Sequence, residues 1–148
     1  MTIREQILQA LGTALNASRP GTVAEFVRTR RHRLTAGSLP ANTWFPWKDQ
    51  PVRPTGRSGS VYGHTLRVLI DIVVGATDTQ PPDQLVDAAY AWVRSKVVGK
   101  DLGHLANSID EDESDYQFGL DGKTPFCRLR MVLVIKYQTR VTDAEQVA

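Results

Sequence analysis

Two stretches of the chain alternate between apolar and polar positions with the period of a β-strand. In residues 125–139 one face is apolar and consists of Cys127, Leu129, Met131, Leu133, Ile135 and Tyr137. Residues 61–76 are apolar on both faces, which predicts a central strand. The second face of the predicted sheet would then offer apolar area to another copy of the chain, at Leu69, Val73, Val132 and Val134.

Two further segments have the apolar spacing of amphipathic helices. Residues 1–17 carry a stripe that contains Ile3, Ile7, Leu8, Leu11, Ala14 and Leu15, and Pro20 and Gly21 follow. Pro20 cannot continue the helix, so it is expected to end before that residue. Residues 82–99 predict a second helix, because Pro82 suits a first turn and Gly99 suits a helix end. Its predicted buried stripe consists of Leu85, Ala88, Ala89, Trp92 and Val93.

The remaining segments predict less regular elements. Residues 22–34 predict a strand, with a basic helix as the alternative. Residues 35–60 are rich in proline and glycine and are expected to be irregular, with a short strand at 43–45. Residues 107–118 predict an acidic strand, and the glycine turn at 119–123 joins it to the 125–139 strand as a hairpin. Residues 140–148 are expected to form a polar tail.

This order of elements predicts a single α+β domain over 1–148. We expect an antiparallel, mainly four-stranded sheet with two helices packed on one face. At 148 residues, 41% of them hydrophobic and 23% charged, the chain has the composition of an ordinary globular domain. A domain of this size buries roughly 68–70% of its unfolded surface, which suffices for a core without metals or disulfides.

The single cysteine, Cys127, excludes an internal disulfide and a cysteine-based zinc site. Its place on an apolar strand face predicts a buried thiol. The N-terminal segment lacks the apolar block of a signal peptide, and no apolar run approaches the ~20 residues that span a bilayer. We therefore expect a protein that stays in a reducing, aqueous compartment.

The net charge of only +2 is unevenly distributed along the chain. A basic cluster near the N-terminus consists of Arg28, Arg30, Arg31 and Arg33. An acidic cluster lies late in the chain and consists of Asp110, Glu111, Asp112, Glu113 and Asp115. The two clusters are expected to pair within the chain or between copies of it, with Arg128 and Arg130 as further subunit-interface candidates.

Aromatic residues concentrate in the proline-rich segment, at Trp44, Phe45 and Trp47. They are expected either to plug the core or to anchor a partner, since tryptophan is enriched at interface hot spots. Arg53 and Arg57 lie in the following loop and are candidates for contacts to a partner or to DNA.

No group of residues has the spacing of a catalytic, metal or cofactor site. His32, His64 and His104 lie far apart in the sequence, and the acidic cluster lacks the spacing of a calcium-binding EF-hand loop. The glycines at 56 and 59 precede a predicted strand rather than a helix, which is the wrong context for a phosphate-binding loop. We expect no enzymatic activity, no metal and no cofactor.

The layout as a whole resembles one known family. The N-terminal helix IREQILQAL, the segment LPANTWF, the strand TLRVLIDIVV, the helix DQLVDAAYAWV and the closing strand RLRMVLVIKYQT together look like the phage tail terminator proteins (minor tail protein U–like). The resemblance covers nearly the whole chain and rests on the order and length of the elements. It includes no catalytic signature.

The resemblance implies a structural virion or prophage protein. Such a protein forms a homo-oligomeric ring, typically a hexamer, that caps the tail tube and provides the docking surface for the head connector. Its expected partners are other copies of itself, the tail tube protein and the head–tail connector protein, and no membrane is involved. Assembly would take place in the host cytoplasm, and the mature location would be the head-proximal end of the virion tail.

Two alternatives remain open from the sequence. The chain could be another phage neck or tail-completion protein, because such proteins share similar layouts. It could also be a small nucleic-acid-binding accessory protein, since basic side chains beside aromatic ones can bind nucleic acid. The low net charge weighs against the second alternative. If the clusters pair between copies, reversing the charge of Glu111 and Glu113 is expected to break a ring without unfolding the monomer.

Overall fold

The computed structural model describes residues 1–28, 39–52, 61–77, 80–121, 124–140 and 143–147. They form two helices, α1 (Ile3–Asn16) and α2 (Pro82–Val97), and six strands. The strands are β1 (Phe26–Arg28), β2 (Ala41–Val52), β3 (Val61–Gly75), β4 (Ser108–Asp121), β5 (Thr124–Arg140) and β6 (Asp143–Val147). Neither of the described helices is long and apolar enough to cross a membrane.

Local signals begin and end both helices. The Thr2 hydroxyl accepts a hydrogen bond from the Glu5 backbone N–H at 3.2 Å and caps α1. Pro82 begins α2, where its missing N–H is not needed, and Asp83 in the first turn is favoured by the helix dipole. Gly99 follows α2 with a φ of +76°, a backbone conformation that glycine adopts without strain.

The six strands form one mixed sheet in the order β1-β2-β3-β5-β4, with β6 paired to β5. The centre is antiparallel, since β3 pairs with β5 from Val61–Arg140 to Gly75–Phe126. The three residues of β1 pair with β2 in parallel. The predicted α+β class is confirmed, but a mainly four-stranded antiparallel sheet describes only part of this larger, mixed sheet.

Strand β2 replaces much of the predicted irregular region at 35–60. It pairs with β3 over nearly its whole length, including at Pro46 and Pro51, and a bulge interrupts the register at Trp47. Prolines are tolerated in a strand at positions where the outer edge has no partner, because the missing N–H then breaks no ladder bond. The pairing of β1 ends at Trp44, so within the described residues both prolines lie on such an edge.

Strand β6 lies within the predicted polar tail. The pairing of β4 with β5 starts at Lys136, whereas β5 continues to Arg140. Because β3 occupies the other edge of β5 as far as Arg140, β6 pairs with the edge that β4 leaves free, at Thr139 and Arg140. An available strand edge thus decides the structure of a segment that has no clear apolar alternation of its own.

The core lies between the two helices and one face of the sheet. Its sheet side consists of Leu66, Val68, Ile70, Ile72 and Val74 of β3, and of the odd-numbered residues from Cys127 to Tyr137 of β5. Its helix side consists of Ile3, Ile7, Leu8, Leu11 and Leu15 of α1, and of Val86, Ala89, Val93 and Val97 of α2. The Trp92 indole N–H donates to the Leu15 carbonyl at 2.7 Å and joins the helices. Both helices therefore pack on one face of the sheet, as predicted.

The predicted stripe of α2 is wrong at one position. Ala88 is exposed, whereas Val86 and Val97, which the prediction omitted, are buried. Alanines occur on several sides of this helix, so its apolar spacing fits more than one orientation, and packing against α1 and the sheet selects among them.

The second face of the sheet offers less free apolar area than expected. Leu69, Val73 and Val132 are only 8%, 2% and 5% exposed in the single chain. Beside them, the Arg130 guanidinium donates two hydrogen bonds to the Asp71 carboxylate, at 2.8 and 2.9 Å. The prediction that this face is left for another copy is wrong for these three residues, and the exposed apolar surface lies elsewhere.

Candidate interaction surface

A bulge in β4 determines which of its side chains face the helices. Glu111 pairs with Leu133 and Glu113 with Val132, so Asp112 is one extra residue in the strand. Beyond this bulge Tyr116 and Phe118 lie opposite Leu129 and Cys127, on the helix side of the sheet. A simple period of two places Ile109 and Tyr116 on opposite faces, whereas the bulge places them on the same face.

The end of the β4–β5 hairpin carries an uncovered apolar stripe. Tyr116, Phe118 and Leu120 are 50%, 66% and 68% exposed. The rings of Tyr116 and Phe118 are nearly parallel, with centroids 6.3 Å apart and an interplanar angle of 10°. Exposed large apolar groups that lie next to one another are typical of binding surfaces.

Two carboxylates of α2 act on this stripe through their charge. Partial burial raises the pKa of the Tyr116 hydroxyl, and the nearby negative charges of Asp87 and Asp83 raise it further. Both aspartates are exposed. We call the surface formed by Asp83, Asp87, Tyr116, Phe118 and Leu120 the acidic aromatic patch. It combines apolar area with negative charge, so a complementary surface would be apolar and positive.

The glycine at 119 shapes the opposite face of the same hairpin. A Cβ atom built at Gly119 would lie 2.7 Å from Cζ of Phe126, so the Phe126 ring lies across the glycine. Aromatic side chains commonly cover glycines in this way within strand pairs. Phe126 is half-buried by this contact, while Phe118 on the helix side is exposed.

Several residues of the two predicted charge clusters have partners within the chain. Arg28 donates to Glu5 at 2.7 and 3.2 Å, which lowers the pKa of the Glu5 carboxyl. Glu111 accepts hydrogen bonds from the Tyr90 hydroxyl at 2.9 and 3.1 Å. Arg94 also donates to Glu111, so α2 holds this carboxylate from two sides.

The outer face of the sheet has a second set of charged residues. Arg67 donates to Asp112 at 2.8 Å, and the pair of Arg130 with Asp71 raises the pKa of the Arg130 guanidinium. Asp110, Glu113 and Asp115 are exposed, and no ion pair joins them to another described residue. Arg128 is half-buried opposite Gln117. Arg30, Arg31 and Arg33 lie outside the described residues.

The aromatic residues of the proline-rich segment separate into three environments. Trp44 is buried in the core, beside Gly12 of α1, and the Arg28 guanidinium lies 5.6 Å from its ring centroid. Phe45 is half-buried opposite Leu69. Trp47, at the bulge of β2, is 59% exposed. The core interpretation therefore holds for Trp44, and Trp47 keeps the features of a partner anchor. Arg53 and Arg57 lie outside the described residues.

Trp47 lines a groove between α1 and β2. The groove has a volume of about 340 Å³ and is lined by Arg4, Glu5, Leu8, Arg28, Pro46, Trp47, Lys48, Asp49 and Leu66. Three of these residues are cationic and two are anionic, so the lining has an excess of one positive charge. We call it the Trp47 groove. Arg4 pairs with Asp49 and Arg28 with Glu5, whereas Lys48 lies opposite Arg67, on the outer face of the sheet.

A polar cluster lies behind the groove, at the end of β5. The Tyr137 hydroxyl donates to Asp49 at 2.6 Å, and Asp49 also lies 3.4 Å from Arg4 and from His64. The rings of His64 and Tyr137 stack at 4.5 Å, and the other imidazole nitrogen lies 3.0 Å from the Thr139 hydroxyl. Burial and the hydrogen bond to Asp49 raise the pKa of the Tyr137 hydroxyl well above its usual value.

This cluster joins three strands and α1 through hydrogen bonds and ring stacking. It contains one imidazole and one carboxylate, and the described residues include no group of three or more side chains that could hold a metal ion. The sequence did not indicate the cluster, because Asp49 lay in a segment that was expected to be irregular. Its pattern of contacts is that of a structural connection between elements.

Comparisons with known proteins give little further information. No protein-family model matches the chain, and no curated protein matches it significantly. Among solved structures the chain is similar to a chain of "Virion of native gene transfer agent (GTA) particle", with 12% sequence identity, a TM-score of 0.43, and coverage of 91% of this chain and 92% of that chain. At this identity and TM-score the likeness does not establish a family, and the resemblance to tail terminators stays a prediction.

Proposed function

We propose that this protein is a non-enzymatic structural component of a phage-type particle. Specifically, it is a tail terminator that caps the tail tube as a ring, most simply a hexamer, and forms the surface on which the head connector docks. Its partners are then further copies of itself, the tail tube protein and the connector protein. It assembles in the host cytoplasm and ends at the head-proximal end of the tail.

The acidic aromatic patch is the observation that carries this proposal. The single chain buries its core fully, yet it leaves Tyr116, Phe118 and Leu120 in solvent on a long, well-paired hairpin. A small monomer gains nothing in stability from such a stripe, whereas an assembling protein needs contact area of this kind. The sequence resemblance supplies the kind of assembly in which that area would be used.

The alternative of a nucleic-acid-binding protein is not favoured by the described residues. Arg28 pairs with Glu5, Arg130 with Asp71 and Arg67 with Asp112, so these guanidinium groups are already neutralised within the chain. Electrostatic binding to phosphates requires cations that are free to replace counterions. Binding to a DNA duplex that weakens steeply as the salt concentration rises would revive this alternative.

The proposal is tested by the mass of the protein in solution and on tail tubes. Light scattering over a concentration series measures the oligomer, negative-stain imaging shows whether it is a ring, and co-sedimentation with tubes of the tail tube protein from the same genome measures capping. We expect a ring, in solution or at one end of the tubes. A protein that stays monomeric in solution and does not bind tube ends would refute the proposal.

A single substitution relates this result to the patch. Phe118→Ser removes an exposed ring, so we expect it to weaken the assembly while the midpoint of urea unfolding stays close to that of the wild type. Val52→Ser is the matched control, because Val52 is similarly exposed but lies outside the patch. If both variants assemble like the wild type, the stripe has no part in assembly.

A further inference from the structure

We propose that segment 116–120 of β4 pairs with the same segment of a second copy, as an added antiparallel strand. The segment belongs to the patch that carries the proposed function, but a pair of this kind can form with or without a ring. Strand β4 is the last strand of the sheet, and no other described strand pairs with its outer edge, since β6 pairs with β5. Such an edge presents unpaired N–H and C=O groups to a further strand.

The two halves of this edge differ in how well they resist a partner strand. Residues 110–115 are acidic at every position except Ser114, and a bulge interrupts them at Asp112. Charged side chains and bulges are the usual features that prevent edge-to-edge association. Segment 116–120 contains no charge and no proline, and its pairing with β5 runs without a bulge. The edge of β4 is therefore open to a partner at the end of the hairpin.

The side chains of this segment complement themselves in an antiparallel pair whose two-fold axis lies at Phe118. Phe118 then lies opposite Phe118 of the second copy, and Tyr116 lies opposite Leu120 of the second copy. All of them lie on the helix side of the sheet. Cross-strand pairs that contain aromatic rings are among those that stabilise sheets. A parallel pair would place the two acidic halves against each other, whereas the antiparallel pair directs them away from each other.

The free edge near the other end of the sheet is a poorer partner for β4. Strand β2 has no described partner on its outer edge beyond Trp44, but Pro46 and Pro51 lie in this part of the strand. Proline has no N–H to donate to a neighbouring strand. The same segment of a second copy is therefore the better occupant.

The available area predicts a weak pair. Tyr116, Phe118 and Leu120 are 50%, 66% and 68% exposed. With roughly 200 Å² for each large side chain, they offer roughly 350 Å² per copy and about 700 Å² in the pair. Stable interfaces bury about 1,200 Å² or more, so we expect a dissociation constant on the order of 100 µM. A two-fold contact also closes on itself, so a ring of copies needs a second contact.

Cysteine cross-linking tests the register. Phe118→Cys should form a covalent pair on mild oxidation, because directly opposed residues lie about 4.5–5.5 Å apart between Cα atoms, within reach of a disulfide. Tyr116→Cys alone should not, since its two copies would lie about 14 Å apart along the strands. A mixture of Tyr116→Cys with Leu120→Cys should form the covalent pair again. The natural Cys127 is buried and leaves the background low.

Matched variants control for exposure and charge. Val52→Cys is similarly exposed but lies on β2, so it should cross-link at least tenfold more slowly than Phe118→Cys. Phe118→Asp extends the acidic half of the edge and should weaken association at least tenfold, measured by sedimentation from about 1 µM to 1 mM. Asp115 lies opposite Asp121 of the second copy in this register, so Asp115→Asn should strengthen association severalfold. Circular dichroism and urea unfolding verify that each variant is folded.

The possible results separate this inference from the proposed function. If Phe118→Cys cross-links no faster than Val52→Cys, or Tyr116→Cys alone as fast as the mixture, the pairing is refuted, and a ring at tube ends would still support the proposed function. A wild-type chain that stays monomeric up to 1 mM but caps tubes likewise refutes the pairing alone. A chain that stays monomeric and does not bind tube ends refutes both.

Discussion

The pair of Arg130 and Asp71 gives the sharpest prediction about the fold. Arg130 was a predicted subunit-interface residue, but its guanidinium donates two hydrogen bonds to Asp71 within the same chain. Asp71 has a side chain only 10% exposed, whereas that of Arg130 is 41% exposed. Removing Arg130 would leave a buried carboxylate without a counter-ion, while removing Asp71 would leave a cation that can still reach water.

This asymmetry sets the expected magnitudes. Arg130→Met should lower the free energy of unfolding by about 3–5 kcal/mol, the usual cost of a buried charge that has lost its partner. Asp71→Asn should cost less, about 1.5–3 kcal/mol, because a neutral acceptor remains and the guanidinium is partly solvated. Asp71→Leu combined with Arg130→Met should cost less than Arg130→Met alone, since buried ion pairs are often replaced by apolar residues with little loss.

Urea unfolding followed by tryptophan fluorescence measures these differences, because Trp44 is buried in the core. Arg67→Met is a matched control on the same face of the sheet, since Arg67 pairs with an Asp112 that is 50% exposed, and it should cost at most about 1 kcal/mol. Two results would refute the assignment of Arg130 to a contact within the chain. One is a double variant whose loss of stability is the sum of the two single losses. The other is an Arg130→Met chain that is as stable as the wild type but altered in oligomeric mass.

Three further predictions concern single side chains. Glu111→Lys should destabilise the monomer by several kcal/mol, because it replaces a carboxylate that accepts hydrogen bonds from Tyr90 with a cation. Glu113→Lys should change the urea midpoint little, since Glu113 is exposed. Equal effects of the two substitutions would contradict this. The raised pKa of the Tyr137 hydroxyl means that its contribution to stability is complete below pH ~10 and is lost above it by up to ~1.4 kcal/mol per pH unit. The free energy of unfolding should therefore fall less steeply with alkaline pH in Tyr137→Phe than in the wild type. Identical pH profiles would refute the assignment. Burial also raises the pKa of the Cys127 thiol, so a thiol reagent should label Cys127 only as the chain unfolds in urea, and rapid labelling of the folded protein would contradict its burial.

Two expectations about assembly change with the structure. The charge reversal of Glu111 and Glu113 was expected to break a ring without unfolding the monomer. Because α2 holds Glu111 through Tyr90 and Arg94, only Glu113 is suited to that test. The exposed apolar area was expected on the second face of the sheet, but it lies at the end of the β4–β5 hairpin.

The sequence by itself determined the elements whose side chains alternate strongly. The apolar faces of β3 and β5, the first helix and the acidic hairpin all follow from local periodicity, because burial of one face imposes that period on the residues. The same reasoning gave a buried Cys127 and the α+β class. These are properties that each segment carries in its own residues.

The tertiary structure decided everything that depends on a neighbouring element. β2 and β6 are strands because free edges of β3 and β5 accept them, although proline and polar residues obscure their pattern. A single extra residue, Asp112, determines that Tyr116 and Phe118 face the helices, and it cannot be located from alternation alone. The partners of Arg28, Arg130 and Glu111 come from distant parts of the chain, and distance in sequence contains no information on which opposite charge will be close in space.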